Sequence, residues 1–224
     1  MAVLALVAGA AIGACGSVRT DPATTTPLTF TDTGTAPVTS TIPAPTYTSY
    51  IGPQAVPIET GRFLAPAVST PLGTVIDGIQ CMPDTQLAYH AYAHLQVYVD
   101  GHSRALPGGI GMVDPAATVT ASGLLYETDT CLYWLHTRAA DGVIAVESPI
   151  AHHYTLGNFF AIWDQPLSRD RVAGARGSVS ALVNGKAWTK SLASIPLSEH
   201  TQIELAVGKP VPAYAPIDWS VTGL

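Results

Sequence analysis

Alternation of apolar and polar residues, interrupted by short turns, predicts that much of this chain folds as β-hairpins. In the segment 93–112 the alternate positions Leu95, Val97 and Val99 are apolar, and a DG pair that favours a two-residue turn follows them. The segment 178–186, SVSALVNGK, repeats the pattern with an NG turn. A further apolar run, QIELAV at 202–207, predicts a closing strand.

The segment 131–149, CLYWLHTRAADGVIAVESP, predicts another hairpin, on which the rest of the fold is organised. If its DG pair forms a two-residue loop, His136 pairs with Glu147 and Arg138 lies on the same face. The opposite, apolar face would then carry Tyr133, Leu135, Ile144 and Val146.

A short amphipathic helix is predicted directly after this hairpin. Thr155 can cap its first turn, and Pro166 ends it. The apolar stripe at i, i+3, i+4 and i+7 consists of Leu156, Phe159, Phe160 and Trp163. Between the regular elements, the composition predicts a polar connector at 113–130 and a charged loop at 167–177.

The first residues indicate export. Residues 2–14 are uninterruptedly apolar but too short to span a bilayer, and they end at Cys15 in the sequence IGAC. This sequence resembles the lipobox of bacterial lipoproteins, which implies lipidation of Cys15 after cleavage. The predicted organisation is a signal peptide at 1–15, a disordered Thr/Pro-rich tether at 16–57, a globular β-rich domain at 58–209 and a loose tail at 210–224.

The net charge limits the classes of partner that are expected, and the cysteine usage predicts a disulfide. The net charge is −6 and no basic run occurs, so nucleic acid is not an expected partner. The expected partners are the membrane, through a lipid anchor on the extracytoplasmic face, and an envelope protein or small ligand of unknown identity. Of the three cysteines, Cys81 and Cys131 lie in the globular part, where an exported protein is expected to pair them as a disulfide.

The order of elements resembles a known fold. A hairpin, an insertion, the helix TLGNFFAIW, a strand with VNGK and the run IPLSEHTQIELAVG are similar to the β-grasp arrangement of ubiquitin-like and sulfur-carrier domains. Over about residues 94–208 this resemblance implies an α+β fold in which a mixed sheet wraps one helix and the 131–149 hairpin is inserted. The Gly-Gly terminus of sulfur carriers is missing, so their activity is not implied. The alternative is an immunoglobulin-like β-sandwich.

A group of uncharacterised exported bacterial and archaeal proteins is also similar, through HAYAHLQVYVDG and CLYWLHTRAADGVIAVES. Their pattern is richer in histidine, and Tyr92, Arg138 and Ala145 stand here where three imidazoles are expected. The resemblance implies no particular function.

The remaining polar residues suggest a metal site formed by His90, His94, His136 and Glu147. Imidazole and carboxylate suit Zn, Cu or Ni, and the predicted ion is Zn or Cu. In a regular strand His90 and His94 would lie about 13 Å apart, so they converge only if residues 86–93 are helical or kinked. The alternative is that these histidines are structural.

A hydrolase is the third hypothesis. Ser148 follows Glu147, and Ser198-Glu199-His200 brings a hydroxyl and an imidazole together in sequence, but neither pattern is a nucleophile elbow. The sequence therefore indicates no reaction. The leading hypothesis is a lipid-anchored binding or structural module of the cell envelope, and the runner-up is an extracytoplasmic metal-binding protein.

Overall fold

Short strands and one α-helix make up the regular structure of the part of the chain that is described. The computed structural model describes residues 51–67 and 73–224. The predicted signal peptide, the lipidation site Cys15 and the predicted tether up to residue 50 lie outside these residues. Within them, no helix combines the length and the apolar character needed to cross a membrane.

The strands are, in chain order, β1 (Arg62–Phe63), β2 (Cys81–Met82), β3 (Tyr89–Val99), β4 (His102–Ala105), β5 (Met112–Val113), β6 (Ala116–Thr120), β7 (Gly123–Glu127), β8 (Cys131–Tyr133), β9 (Leu135–His136), β10 (Val143–Ser148), β11 (Tyr154–Thr155), β12 (Leu167–Ser168), β13 (Arg171–Val172), β14 (Ala175–Arg176), β15 (Val179–Val183), β16 (Lys186–Ala187), β17 (Pro196–Leu197) and β18 (Gln202–Val207). The helix α1 spans Leu156–Ile162, and 3-10 turns occur at Asp84–Gln86, Leu192–Ser194 and Trp219–Val221.

The main sheet is mixed and has β3 at its centre. β18 pairs with β3 in parallel on one side. On the other side β10 pairs antiparallel with the first half of β3, and β4 pairs antiparallel with its last residues. β15 continues the sheet beyond β18, followed by β16, and β1 pairs in parallel with β4. The fold is therefore mixed, with mostly strands and a single α-helix in the described chain.

Two of the predicted two-residue turns form where the sequence predicts them. Val99 pairs with His102 around Asp100 and Gly101, whose φ angles of 50° and 76° are those of a primed turn. The NG turn between β15 and β16 repeats this geometry, with φ angles of 49° and 73°. Both predictions are confirmed.

The helix also forms as predicted. The Thr155 hydroxyl accepts a hydrogen bond from the Asn158 backbone N–H, and the Asn158 side chain accepts one from the Thr155 N–H, so that a capping box begins α1. The predicted apolar stripe, Leu156, Phe159, Phe160 and Trp163, is fully buried. These side chains share one hydrophobic core with the inward residues of β3 and β18, which include Leu95, Val97, Ile203 and Leu205.

The predicted register of the β9–β10 hairpin is wrong. His136 pairs with Ala145 rather than Glu147, and the connection is longer than two residues. The reason is that Thr137 turns away to the preceding segment, where its hydroxyl donates to the Pro107 carbonyl and its N–H to the Ile110 carbonyl. The apolar face of the hairpin is as predicted, because Tyr133, Leu135, Ile144 and Val146 are all buried.

Two segments predicted as irregular contain strands. The connector at 113–130 includes the β6–β7 hairpin, whose turn is held by the Thr120 hydroxyl as it donates to the Gly123 carbonyl and accepts from the Ser122 N–H. The charged loop at 167–177 is a small three-stranded meander of β12, β13 and β14. In both, hydrogen bonds local to the turn stabilise strands that have little apolar periodicity.

The predicted disulfide is present. Cys81 in β2 and Cys131 in β8 are joined, with their Cα atoms 5.4 Å apart and a separation of 50 positions in sequence. Because β8 also pairs with β5, the bond fixes residues 81–82 against the segment that connects β4 to α1.

Candidate functional site

The alternation of β3 gives the main sheet two different faces. Leu95 and Val97 point into the core, whereas the even-numbered positions carry polar or aromatic side chains on the other face, here called the outer face. Its residues in β3 are His90, Tyr92, His94, Gln96 and Tyr98. In β18, Gln202 and Glu204 pair with His94 and Gln96 and extend the same face.

The C-terminal segment 210–224 crosses this face, and Gln202 holds it there. The Gln202 amide donates to the Ala215 carbonyl at 2.9 Å, and its oxygen accepts from the Tyr214 hydroxyl at 2.9 Å and the Ile217 N–H at 3.1 Å. Further along, the Trp219 ring stacks on His200 with ring centroids 4.7 Å apart. The amide nitrogen and the amide oxygen of Gln202 are thus both used to bind the segment.

Between this segment and the sheet lies a cavity of about 350 Å³, here called the outer-face cavity. Residues 51–57 border the cavity on another side. In this segment Ile51 and Pro57 form an isolated antiparallel β-bridge, and Val56 is completely buried. The cavity is lined by Ile51, Ala55, Pro57, His94, Gln96, Tyr98, Gln202, Ile203, Glu204, Tyr214, Ala215, Pro216, Ile217, Asp218 and Val221. Its volume is within the range of small-molecule pockets.

His94 lines the outer-face cavity and has a buried, unused acceptor. Its Nε2 lies 2.9 Å from the Asp141 carbonyl, which can only accept, so Nε2 carries the proton. Burial lowers the pKa of His94 to about 4, against the opposing effect of this hydrogen bond. At neutral pH the ring is therefore uncharged, and Nδ1, which is buried and has no hydrogen-bond partner, is an acceptor.

Glu204 has a second unused acceptor. The residue is 4% exposed, and its Oε1 is buried without a hydrogen-bond partner. Burial raises the pKa of Glu204 above its ordinary value. A carboxyl oxygen that is buried without a donor is costly, and this cost falls when a donor is supplied.

Two further carboxyl groups lie behind His94. Glu59 accepts a hydrogen bond from the Leu106 N–H at 3.0 Å, and Asp141 accepts one from the Val143 N–H at 3.1 Å. Burial raises the pKa of Asp141 to about 6. Burial raises the pKa of Glu59 well above its ordinary value; the Leu106 hydrogen bond opposes this rise and the Asp141 charge adds to it.

A separate polar cluster surrounds Glu147 near the start of β3. Arg138 donates to Oε2 of Glu147 at 3.1 Å, His136 Nε2 lies 3.4 Å from the same oxygen, and His90 Nδ1 lies 3.7 Å from Oε1. The Tyr92 hydroxyl donates to Oε1 at 3.5 Å. Burial opposes ionisation of Glu147, but the neighbouring His136 and Arg138 outweigh it, so its pKa is lowered.

The neutral state of His136 follows from its surroundings. Its Nδ1 lies 3.0 Å from the Tyr133 carbonyl and must donate to it, while burial lowers the pKa of the fully buried ring. Nε2 is therefore unprotonated beside the carboxylate, and Arg138 is the group that neutralises Glu147.

The four residues of the predicted metal site are divided between these two places. His90, His136 and Arg138 meet around the Glu147 carboxylate, whereas His94 lines the outer-face cavity and is hydrogen bonded to the Asp141 carbonyl. Residues 89–99 form a regular strand, so the helical or kinked path that would bring His90 and His94 together is not taken. Within residues 51–67 and 73–224, no group of three or more His, Cys, Asp or Glu side chains is arranged to hold a metal ion.

The Ser148 hydroxyl and the His200 imidazole considered for a hydrolase have other partners. The Ser148 hydroxyl donates to the Ile150 carbonyl at 2.7 Å. His200 pairs with its neighbour Glu199 at 2.9 Å, and the other carboxylate oxygen of Glu199 accepts from the Tyr92 N–H. Glu199 and His200 thus lie in the turn before β18, beside Tyr92 of β3.

Sequence reasoning missed Glu59, Gln202 and Glu204 as site residues. A usable signal was the position of Glu204, an acidic residue flanked by Ile203 and Leu205 in an otherwise apolar strand. Comparison of the chain with family models, curated proteins and solved structures finds no match in any of the three.

Proposed function

We propose that this protein is a lipid-anchored binding module of the extracytoplasmic membrane face, with a β-grasp core that binds a small ligand in the outer-face cavity. The observation that carries the binding role is the cavity itself. It combines a mostly apolar wall with two buried acceptors, Nδ1 of His94 and Oε1 of Glu204, that have no partner in the protein. Few polar groups in an apolar recess are typical of small-molecule sites.

The strand order supports the β-grasp core. β4, β3, β18 and β15 lie side by side in that order, β3 and β18 are parallel, and α1 lies in sequence between β4 and β15. In β-grasp domains the first and last strands are the parallel central pair and the helix follows the first hairpin. The chain between β4 and α1 is then an insertion, and β10 from this insertion adds to the sheet beside β3.

The sequence of the first 50 residues supports the anchor. An apolar run ending in IGAC and a Thr/Pro-rich stretch match the arrangement of a lipid-attached cysteine and a spacer. The Cys81–Cys131 disulfide is consistent with export, because such bonds persist in oxidising compartments.

The ligand-binding role is tested with a fragment collection of cationic, neutral and anionic molecules, screened by NMR against the full chain carrying Cys15→Ser. We expect at least one fragment to saturate and to shift resonances of residues that line the outer-face cavity. Ala215→Trp should weaken this binding at least about tenfold by filling the recess. Ala213→Trp, in the same segment but outside the lining, should leave it within about twofold. Absence of any cavity-mapped fragment, or equal effects of the two variants, would overturn the proposal.

The anchor is tested by feeding an alkyne-bearing palmitate analogue to bacteria that express the full chain. Wild type is expected to become labelled and to partition into a detergent phase, and Cys15→Ser to do neither. Equal labelling of both chains would exclude lipidation at Cys15.

A further inference from the structure

The charges around the outer-face cavity are of one sign. Among its lining residues the ionisable carboxyl groups are Glu204 and Asp218, and the lining contains no Lys or Arg. His94 also lines it but is neutral, because burial lowers its pKa to about 4. An anionic ligand would therefore meet carboxylates and no cation, whereas a cationic ligand would be attracted.

The two carboxyl groups differ in how far their hydrogen-bonding capacity is used. Oδ1 of Asp218 accepts from the Ser220 N–H at 3.0 Å and the Ser220 hydroxyl at 2.6 Å, and thus caps the 3-10 turn Trp219–Val221. Oε1 of Glu204 is buried and accepts nothing. Glu204 is therefore the group that gains most from a charged donor in the cavity.

The hydrogen-bond donors and acceptors of the lining also favour a cationic ligand. Nδ1 of neutral His94 and Oε1 of Glu204 both accept, while the Gln202 amide and the Tyr214 hydroxyl already donate to protein atoms. A ligand with several N–H donors on one atom can satisfy both acceptors, as an ammonium group does. A hydroxyl has a single proton and can satisfy only one of them.

The remainder of the wall defines the body of the ligand. Ile51, Pro57, Ile217 and Val221 supply aliphatic or ring carbons, and the aromatic residues Tyr98 and Tyr214 are also part of the lining. Such walls favour a hydrocarbon body, and aromatic rings add attraction for a cation.

We infer that the ligand of the outer-face cavity is a small primary ammonium ion with an apolar body, whose nitrogen binds between Glu204 and His94. This inference rests on the proposed ligand-binding function and specifies its chemical class.

Three probes with the same phenyl body test the inference: 2-phenylethylammonium, 2-phenylethanol and phenylacetate. Each is titrated at pH 8 into the full chain carrying Cys15→Ser, and binding is followed by NMR. We expect the ammonium to bind at least about tenfold more tightly than the alcohol, and phenylacetate to bind most weakly.

Two charge-matched variants locate the effect. Glu204→Gln should weaken ammonium binding at least about tenfold and leave 2-phenylethanol within about threefold. Asp218→Asn removes the same net charge, but it should weaken ammonium binding much less because the Asp218 carboxylate is already used by Ser220. Circular dichroism of both variants checks that the fold is retained.

Different failures are distinguishable. Binding of the alcohol or of phenylacetate as tight as that of the ammonium would overturn the ammonium class, as would equal effects of Glu204→Gln and Asp218→Asn, and the binding function would stand. If no probe and no screened fragment binds in the cavity, the proposed function itself is wrong.

Discussion

The hydroxyl of Tyr214 donates a 2.9 Å hydrogen bond to Oε1 of Gln202 and thereby joins the C-terminal segment to β18. Tyr214→Phe removes this bond but keeps the ring, and the Gln202 oxygen retains the Ile217 N–H. We expect a loss of about 1 kcal/mol in the free energy of unfolding, measured in urea, and faster proteolysis within residues 210–224.

The matched control for this prediction is Tyr126→Phe. Tyr126 packs its ring near Gly108, and its hydroxyl takes part in none of the side-chain hydrogen bonds of the described residues. The control should be close to wild type in both assays. Equal proteolysis of the two variants would show that the Tyr214 bond does not fix the segment.

The pairing of Arg138 with Glu147 predicts a large effect of removing the cation alone. Arg138→Met leaves the buried Glu147 carboxylate without its charged donor, which is expected to cost about 3 kcal/mol at pH 7. Adding Glu147→Gln should recover most of this loss, because no charge is then buried. Urea unfolding of wild type, the single variant and the double variant provides the measurement.

The same pair has a predictable pH dependence. The pKa of Glu147 is lowered in the folded protein, so its stabilising contribution is present above its unfolded pKa and is lost as the pH falls through its folded pKa. The difference between wild type and Arg138→Met should therefore shrink as the pH is lowered from 7 toward about 3. A constant difference would contradict this assignment.

The contribution of Asp141 to stability has the opposite pH dependence. Its folded pKa of about 6 lies above the ordinary 3.8, so the folded state retains a proton that the unfolded chain loses. Its contribution to stability is therefore full below about pH 4 and declines as the pH rises through 6, by about 3 kcal/mol in all. Asp141→Asn keeps the acceptor for the Val143 N–H but cannot ionise.

We therefore expect Asp141→Asn to gain stability relative to wild type as the pH is raised from 4 to 8. The comparison is made by urea unfolding across this range. Asp129→Asn, at an exposed position, removes the same charge and should run parallel to wild type. If the two asparagine variants behave alike, the burial of Asp141 is not the cause.

The disulfide predicts a stability loss that depends on its oxidation. Cys81→Ala combined with Cys131→Ala frees a loop of 50 positions and is expected to cost about 4 kcal/mol in the chain-entropy account. A reducing agent should destabilise wild type by a similar amount and leave the double variant unchanged. Sensitivity of the double variant to reductant would point to an origin other than this bond.

What could be predicted from the sequence is what depends on neighbouring residues. The turn at Asp100 and Gly101, the Thr155 cap and the apolar stripe of α1 all arise from interactions within a few positions. The disulfide was predictable for a different reason, since an exported chain with two cysteines in its globular part leaves one pairing. The order of hairpin, helix and closing strand also follows from such local patterns.

What could not be predicted depends on distant segments. The β9–β10 register changes because Thr137 binds Pro107, 30 positions away, and no pattern inside the hairpin shows this. The outer-face cavity exists only where residues 51–57, β18 and the C-terminal segment meet. Glu204 acquires its unpartnered oxygen there, and His94 is directed to Asp141 instead of toward His90 and Glu147.

The parallel pairing of β3 with β18 has a mechanical consequence for a chain that is pulled at its two ends. His94 through Val99 are bonded alongside Gln202 through Val207, so the N-terminal entry to β3 and the C-terminal exit from β18 lie at opposite ends of the pair. A pull that separates these two ends loads all the interstrand hydrogen bonds together in shear, rather than opening them one after another. The β3–β18 pair therefore resists such a pull by shear instead of unzipping.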